Sequence, residues 1–173
     1  MPSHRVCLLI SCLVFFLAGT IDAHAQSWKK HRYVTDGFEI EFSGEVKGTP
    51  TPLNPETQKK VVRAMQYMQD GGDYVYAVAF SLNKEGVNFE EGPKASFAAL
   101  KCKTTIGDTL LPLPGGRGRE IRGVDCHDGT MRAECRYYTT GKWFYQVITL
   151  FKKDGGDEKA ARYFLQSFKT IKK

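Results

Sequence analysis

Histidine is scarce in this chain. It holds four histidines in 173 residues, and only His31 and His127 lie beyond residue 25. A Ser–His–acid or Cys–His catalytic site would have to use one of these two. His127 stands beside Asp128-Gly129 at a predicted turn, where polar side chains serve the turn geometry. Neighbouring residues of a strand point to opposite faces, and a metal site needs three or four convergent ligands. The segment 126–128 is therefore predicted to be a turn, with no metal and no catalytic role.

Other catalytic and cofactor motifs are also missing. Gly115 to Gly118 could form a backbone nest, but the Lys-Ser/Thr of a phosphate-binding loop does not follow it, so we expect a turn there. The carboxylate pairs Glu90-Glu91 and Glu39/Glu41 have no partner base, and acids that lead into a helix favour the positive end of its dipole. No C-x-x-C motif is present to activate a thiol. We predict a protein that is not an enzyme and binds no cofactor.

Long hydrophobic runs are absent beyond the first 25 residues. Those residues combine Arg5, an apolar run from Val6 to Ala18 and the small-residue motif Ala23-His24-Ala25, which is typical of a secretory signal peptide. A lipoprotein box could be read at Cys12, but the apolar run continues past it. We expect cleavage after Ala25 and a single domain over residues 26–173. That domain would be periplasmic or secreted, with no transmembrane segment.

The composition is that of an ordinary globular domain, with 42% hydrophobic and 25% charged residues and a formal charge of +6. The predicted leader removes one charge of each sign, so the mature chain keeps this value. In an exported protein, a basic balance favours an envelope protein or an anionic surface as partner. Because the protein is predicted to be exported, nucleic acid is not expected as its partner. Ordinary colloidal solubility explains the same charge more simply.

The chain that remains after cleavage of the predicted signal peptide has few cysteines, and their number is odd. Only Cys102, Cys126 and Cys135 remain, so at most one intramolecular disulfide can form, and export permits it. If Asp128-Gly129 is a two-residue turn, Cys126 faces Met131 and not Cys135. The sequence leaves all three pairings open.

Periodicity predicts an antiparallel α+β fold. Strands are expected at Tyr33-Val34 and at residues 38–42, 61–68, 74–82, 119–126, 131–139 and 143–151, and helices at 93–102 and 157–168. The strands 74–82 and 143–151 are apolar on both faces, which is typical of central, covered strands. The proline-rich stretch 48–56 and the stretch from the first helix to Gly116 are expected to be loops. The predicted order is ββββ-α-βββ-α, with helices flanking the sheet.

Three motifs resemble those of the bacterial exported PsbP-like family. They are the Gly115–Glu120 segment (GGRGRE), the hairpin from Arg136 to Val147 (RYY…GKWFYQV) and the helix Ala161–Phe168 (ARYFLQSF). The similarity spans residues 33–171, although Phe42-Ser43-Gly44 departs from the family's F-P-G. The resemblance implies an antiparallel sheet flanked by helices in an α/β/α sandwich. It also implies a binding or scaffolding role, as in the extrinsic photosystem subunit and the Ran-binding import factor, and it supplies no catalytic residue.

Arginines cluster in sequence around the hairpin 119–139. Guanidinium groups suit carboxylates and phosphates, so a candidate anion or partner surface contains Arg117, Arg119, Arg132 and Arg136. A solvated sheet face with partly paired charges explains them more simply. The sequence favours an exported, non-enzymatic binding or accessory protein of the bacterial envelope. The alternatives are a secreted hydrolase using His127 or a free thiol, and a small-ligand carrier with an apolar pocket between sheet and helix.

Overall fold

A computed structural model describes residues 27–113 and 115–171. The predicted signal peptide, residues 1–25, lies outside the described residues. The strands are β1 (Lys29–Tyr33), β2 (Phe38–Phe42), β3 (Lys47–Pro50), β4 (Val61–Asp70), β5 (Tyr74–Asn83), β6 (Thr104–Leu111), β7 (Arg117–Cys126), β8 (Met131–Thr140), β9 (Trp143–Lys152) and β10 (Lys169–Thr170). The helices are α1 (Pro55–Lys60), α2 (Gly92–Ala98) and α3 (Glu158–Ser167).

The strands form two antiparallel sheets. The larger has seven strands in the order β3-β4-β5-β9-β8-β7-β6, and the smaller has three in the order β1-β2-β10. The predicted antiparallel α+β class is therefore confirmed. Within the described ranges, no helix is both long enough and apolar enough to cross a bilayer.

The element order is richer in strands than the sequence predicts. The expected loop at 48–56 holds the end of β3 and the start of α1. Asn54 caps this helix by accepting a hydrogen bond from the Thr57 amide at 2.8 Å, and Pro55 occupies its first turn, where proline is tolerated. Strand β6 lies in the second expected loop. Helix α2 ends at Ala98 and not at Cys102. The amides of the next three residues bond three positions back instead of four, and Lys101 then adopts a left-handed backbone with φ of 52°.

One face of the large sheet is covered by the small sheet and α3. The β2 side chains Phe38, Ile40 and Phe42 alternate inward and are almost fully buried. Helix α3 adds Phe164 and Leu165 to the same core. Its start follows the predicted pattern, since Asp157 accepts a hydrogen bond from the Ala160 amide at 2.9 Å. Most of the apolar core lies between these layers.

The other face of the large sheet is covered only in part. Phe97 of α2 and Phe89 from the preceding segment pack over Ile121, Tyr137 and Phe144. The two doubly apolar strands, β5 and β9, are central, as expected. On this second face, however, β5 presents Val75, Ala77 and Ala79, which are only half-buried. The cover therefore lies over β7 to β9 and leaves β4 and β5 more open.

A buried carboxylate fastens the β1–β2 turn to the large sheet. Asp36 is 3% exposed and accepts hydrogen bonds from the Tyr67 hydroxyl at 2.6 Å and from Arg63 Nε at 2.9 Å. The Tyr145 hydroxyl donates to the backbone carbonyl of Asp36 at 3.1 Å. Burial and the bond to this carboxylate raise the pKa of Tyr67. One residue thus joins the small sheet to β4 and β9.

The structure joins Cys102 to Cys126 in a disulfide across the start of β6 and the end of β7. Cys126 lies opposite Met131, as the turn geometry predicts. Cys135 is free and completely buried under α2. Burial raises the pKa of its thiol to about 12, so the nucleophilic thiolate is suppressed.

Replacing Asp36 should weaken the attachment between the sheets. Asp36→Ala leaves the Tyr67 hydroxyl and Arg63 without their acceptor, and we expect it to lower the free energy of unfolding by about 3 kcal/mol. Asp154→Ala, at an exposed site, is the matched control and should have little effect. Urea denaturation measures both. Equal stabilities of the two variants would contradict the proposed attachment.

The three cysteines should differ in reactivity. In the folded mature protein, residues 26–173, which lacks Cys7 and Cys12, we expect no thiol to react with iodoacetamide, because Cys135 is buried and the other two are joined. Denaturation without a reductant should expose one thiol, and peptide mass spectrometry should place the label on Cys135. Replacing Cys102 and Cys126 by Ser should cost about 3 kcal/mol, given their sequence separation of 24. Labelling of Cys102 or Cys126 without a reductant would show that the pairing is wrong.

Candidate functional site

The four arginines of the predicted surface lie on two opposite faces of the large sheet. Arg119 lies opposite Tyr137, which faces α2, so Arg117 and Arg119 share that side. Arg132 and Arg136 are each an odd number of residues from Tyr137 along β8. Their side chains therefore point to the opposite face of the sheet, which α3 covers. The hairpin therefore does not bring the four guanidinium groups onto one surface.

The two arginines on the α3 side are engaged with neighbouring groups. Arg136 Nε lies 2.8 Å from Glu120 Oε2, and its Nη1 donates to the Leu165 carbonyl at 3.4 Å, near the end of α3. Arg132 Nη1 lies 4.0 Å from Glu158 Oε2 at the start of that helix. These contacts tie β8 to both ends of α3. Their geometry favours a structural role for this pair.

On the opposite face, Arg119 is paired and Arg117 is exposed. Arg119 donates two hydrogen bonds to Asp108, at 2.6 Å from Nε and 2.7 Å from Nη2. These bonds lower the pKa of Asp108 and raise that of Arg119. Arg119 Nη1 is buried and has no hydrogen-bond partner among the described residues; Glu90 Oε2 lies 3.5 Å away.

The candidate catalytic groups are placed apart from one another in the fold. His127 lies in the β7–β8 turn with φ of 45° and an exposed side chain, whereas Cys135 is buried in β8. Glu134 is nearly buried, which raises its pKa, and Arg162 lies 4.0 Å from it. Over residues 27–113 and 115–171, no group of three or more His, Cys, Asp or Glu side chains is placed to hold a metal ion.

Strand β6 is a surface feature that the sequence analysis missed. It forms one edge of the large sheet and, among the strands of residues 27–113 and 115–171, pairs only with β7. Ile106 and Leu110 on it are 55% and 70% exposed, and Ile106 stands at a register shift in the pairing. Its sequence, TTIGDTLL, lacks a clean apolar–polar alternation because neither face of the edge is fully buried. The three large aliphatic residues of this otherwise polar stretch, Ile106, Leu110 and Leu111, were the signal from which the strand could have been predicted.

An open groove of about 780 Å³ adjoins the end of β6. Phe89 and Glu90 from the segment before α2 form one wall, and Leu110 and Leu111 form another. Arg117 lies at the start of β7 on the rim. Leu110 is directly opposite Arg119 in the sheet. The groove thus combines apolar side chains with a cationic border at the corner of the sheet, where Phe89 belongs to the core under α2 and Leu111 packs against the core under the small sheet.

The sequence matches no protein-family model and no curated protein. The structure is similar to the solution structure of cyanobacterial PsbP (CyanoP) from Synechocystis sp. PCC 6803, with a TM-score of 0.57. The match covers 90% of this chain and 99% of the cyanobacterial one, at 11% sequence identity. An identity this low carries information on the fold alone. The chain therefore has a PsbP-like α+β fold.

Proposed function

We propose that this protein is an exported, non-enzymatic accessory protein of the bacterial envelope, and that it docks on a partner protein through strand β6. The single observation that carries the proposal is the eight-residue edge of β6 with its exposed Ile106 and Leu110. The PsbP-like resemblance supports an accessory role by association.

The two edges of the large sheet differ in how they are protected. Strand β3, at one edge, has four residues, ends in Pro50 and carries Lys47, which are ordinary defences against unwanted strand pairing. Strand β6 is twice as long and contains no proline. Exposed strand edges bind extended partner segments by main-chain hydrogen bonds, and adjacent apolar side chains add specificity. The asymmetry favours β6 as the docking edge.

The approach to β6 is basic. Lys94, Lys101 and Lys103 are exposed, and no acidic residue stands between Glu91 and Asp108. Positive charge beside an apolar docking strand favours an acidic partner and speeds association. The interaction should therefore weaken as salt screens these charges.

The compartment is supported by two features. The disulfide between Cys102 and Cys126 is compatible with an oxidising environment. The predicted leader at residues 1–25 directs export. Both favour a partner in the envelope over one in the cytoplasm.

The docking edge can be tested by charge substitution. We expect Ile106→Asp combined with Thr109→Asp to reduce recovery of a crosslinked envelope partner about tenfold, because the change removes an apolar contact worth roughly 1–2 kcal/mol and repels an acidic partner. The full-length protein, tagged in its own cells, is crosslinked, captured and quantified by mass spectrometry. High salt before crosslinking should also reduce recovery.

The matched control uses the opposite edge. Val62 is 61% exposed on β4 and Thr49 is exposed on β3, so Val62→Asp with Thr49→Asp adds the same charges elsewhere. This variant should retain the partner. Identical recovery from both double variants and the unmodified protein, or no specific partner from any of them, would refute docking through β6.

A further inference from the structure

The groove beside β6 has a hydrophobic interior. Phe89 lines the groove and is only 2% exposed, so it closes the base, whereas Leu110 is 70% exposed and offers the accessible apolar surface. The volume of about 780 Å³ lies within the ordinary range of small-molecule sites. An apolar chain or ring entering it would remove Leu110 from water. That burial favours binding, at about 25 cal/mol for each Å² covered.

A buried guanidinium lies behind Glu90, one of the residues that line the groove: Arg119 itself does not line it, and its Nη1 is 3.5 Å from Glu90 Oε2. The Arg119 side chain is 10% exposed, and Asp108 fixes its plane through two hydrogen bonds. These bonds use Nε and Nη2, and they leave Nη1 buried without a hydrogen-bond partner in the described part of the chain. A buried polar group without a partner is costly. The site therefore gains free energy from any acceptor that reaches Nη1.

Glu90 is the carboxylate closest to meeting this need. Its Oε2 lies 3.5 Å from Arg119 Nη1, an ion-pair contact without a hydrogen bond. The Glu90 side chain is 66% exposed and lines the groove, so it can turn into solvent at little cost. A ligand carboxylate can then take its place on Nη1, with Arg117 at the rim as a second cation.

We propose that this groove binds a small amphipathic monocarboxylate, with its carboxylate on Arg119 and its apolar tail over Phe89 and Leu110. The charges favour a single negative charge. Arg117 and Arg119 balance Glu90 and Asp108, and displacement of Glu90 leaves one positive charge to be matched. The site extends beyond the proposed docking function, since strand addition at β6 needs neither Glu90 nor Arg119.

Decanoate is the probe, and calorimetric titration of the purified protein, produced from the full-length chain, is the measurement. We expect one saturable site for decanoate, and much weaker binding of 1-decanol and decylamine, which lack the carboxylate. Leu110→Asp should abolish binding, because it places a charge against the tail. Arg119 itself is left intact, since its replacement would orphan Asp108 in the sheet.

Glu90→Gln gives the sharpest test. It removes the competing carboxylate and should tighten decanoate binding roughly fivefold. Glu91→Gln is the matched control: it makes the same charge change one residue away, at the start of α2, and should leave affinity nearly unchanged. Thermal unfolding confirms that both variants are folded. Absence of decanoate binding, equal affinity for 1-decanol, or equal effects of the two Gln variants would each overturn the proposal.

Discussion

Burial of Phe38 between the two sheets is the contact on which the layered arrangement depends. Its ring lies within 6.0 Å, centroid to centroid, of Tyr67 and Phe80 in the large sheet and of Phe168 after α3. Tyr145 of β9 meets it at 5.9 Å with a steep interplanar angle. Aromatic pairs in these geometries add to the free energy of area burial. The small sheet, the large sheet and the C-terminal segment thus share one aromatic cluster.

The same region provides the directional contact that apolar packing lacks. Asp36, two residues before Phe38, is held by Tyr67 and Arg63 of β4. Apolar packing tolerates small displacements of one sheet relative to the other. A buried carboxylate that accepts hydrogen bonds from two donors, in contrast, fixes one relative position of the two sheets. Because the β1–β2 turn is anchored in this way, the small sheet is bound to one face of the large sheet. The second face depends on α2 and its neighbouring segment for cover.

This uneven cover explains where the candidate binding surfaces lie. Strand β6 is an edge because the seven-stranded sheet of the described residues ends there, and the groove forms beside it, at the margin of the cover that α2 and the preceding segment provide. Charge pairing among the arginines of the hairpin also limits where a partner can bind. Ion pairs with acidic side chains of the described structure engage Arg132, Arg136 and Arg119. The surfaces that remain for a partner are β6, with the lysines beside it, and Arg119 Nη1, which has no hydrogen-bond partner among the described residues.

Local sequence patterns determined much of the core. The strict alternation over Phe38–Phe42, the doubly apolar β5 and β9, the turn at Asp128-Gly129 and the amphipathic α3 each depend on contacts that a short window of sequence encodes. The resemblance in the Gly115–Glu120, Arg136–Val147 and Ala161–Phe168 motifs also led to the PsbP-like fold. The element order was less predictable, because β3, α1 and β6 are exposed and bury too few side chains to leave a periodic pattern.

Only the tertiary structure decided how the predicted site residues are arranged. Strand register places Arg117 and Arg119 on one face and Arg132 and Arg136 on the other, and sequence proximity around a hairpin does not reveal that division. The choice of Cys126 as the partner of Cys102 depends on β6 lying beside β7, and β6 was one of the strands that periodicity missed. The groove joins residues 89–90 to residues 110–117, which are distant in the chain. Such sites arise from long-range packing, and local patterns determine the elements that pack but not which of their side chains meet.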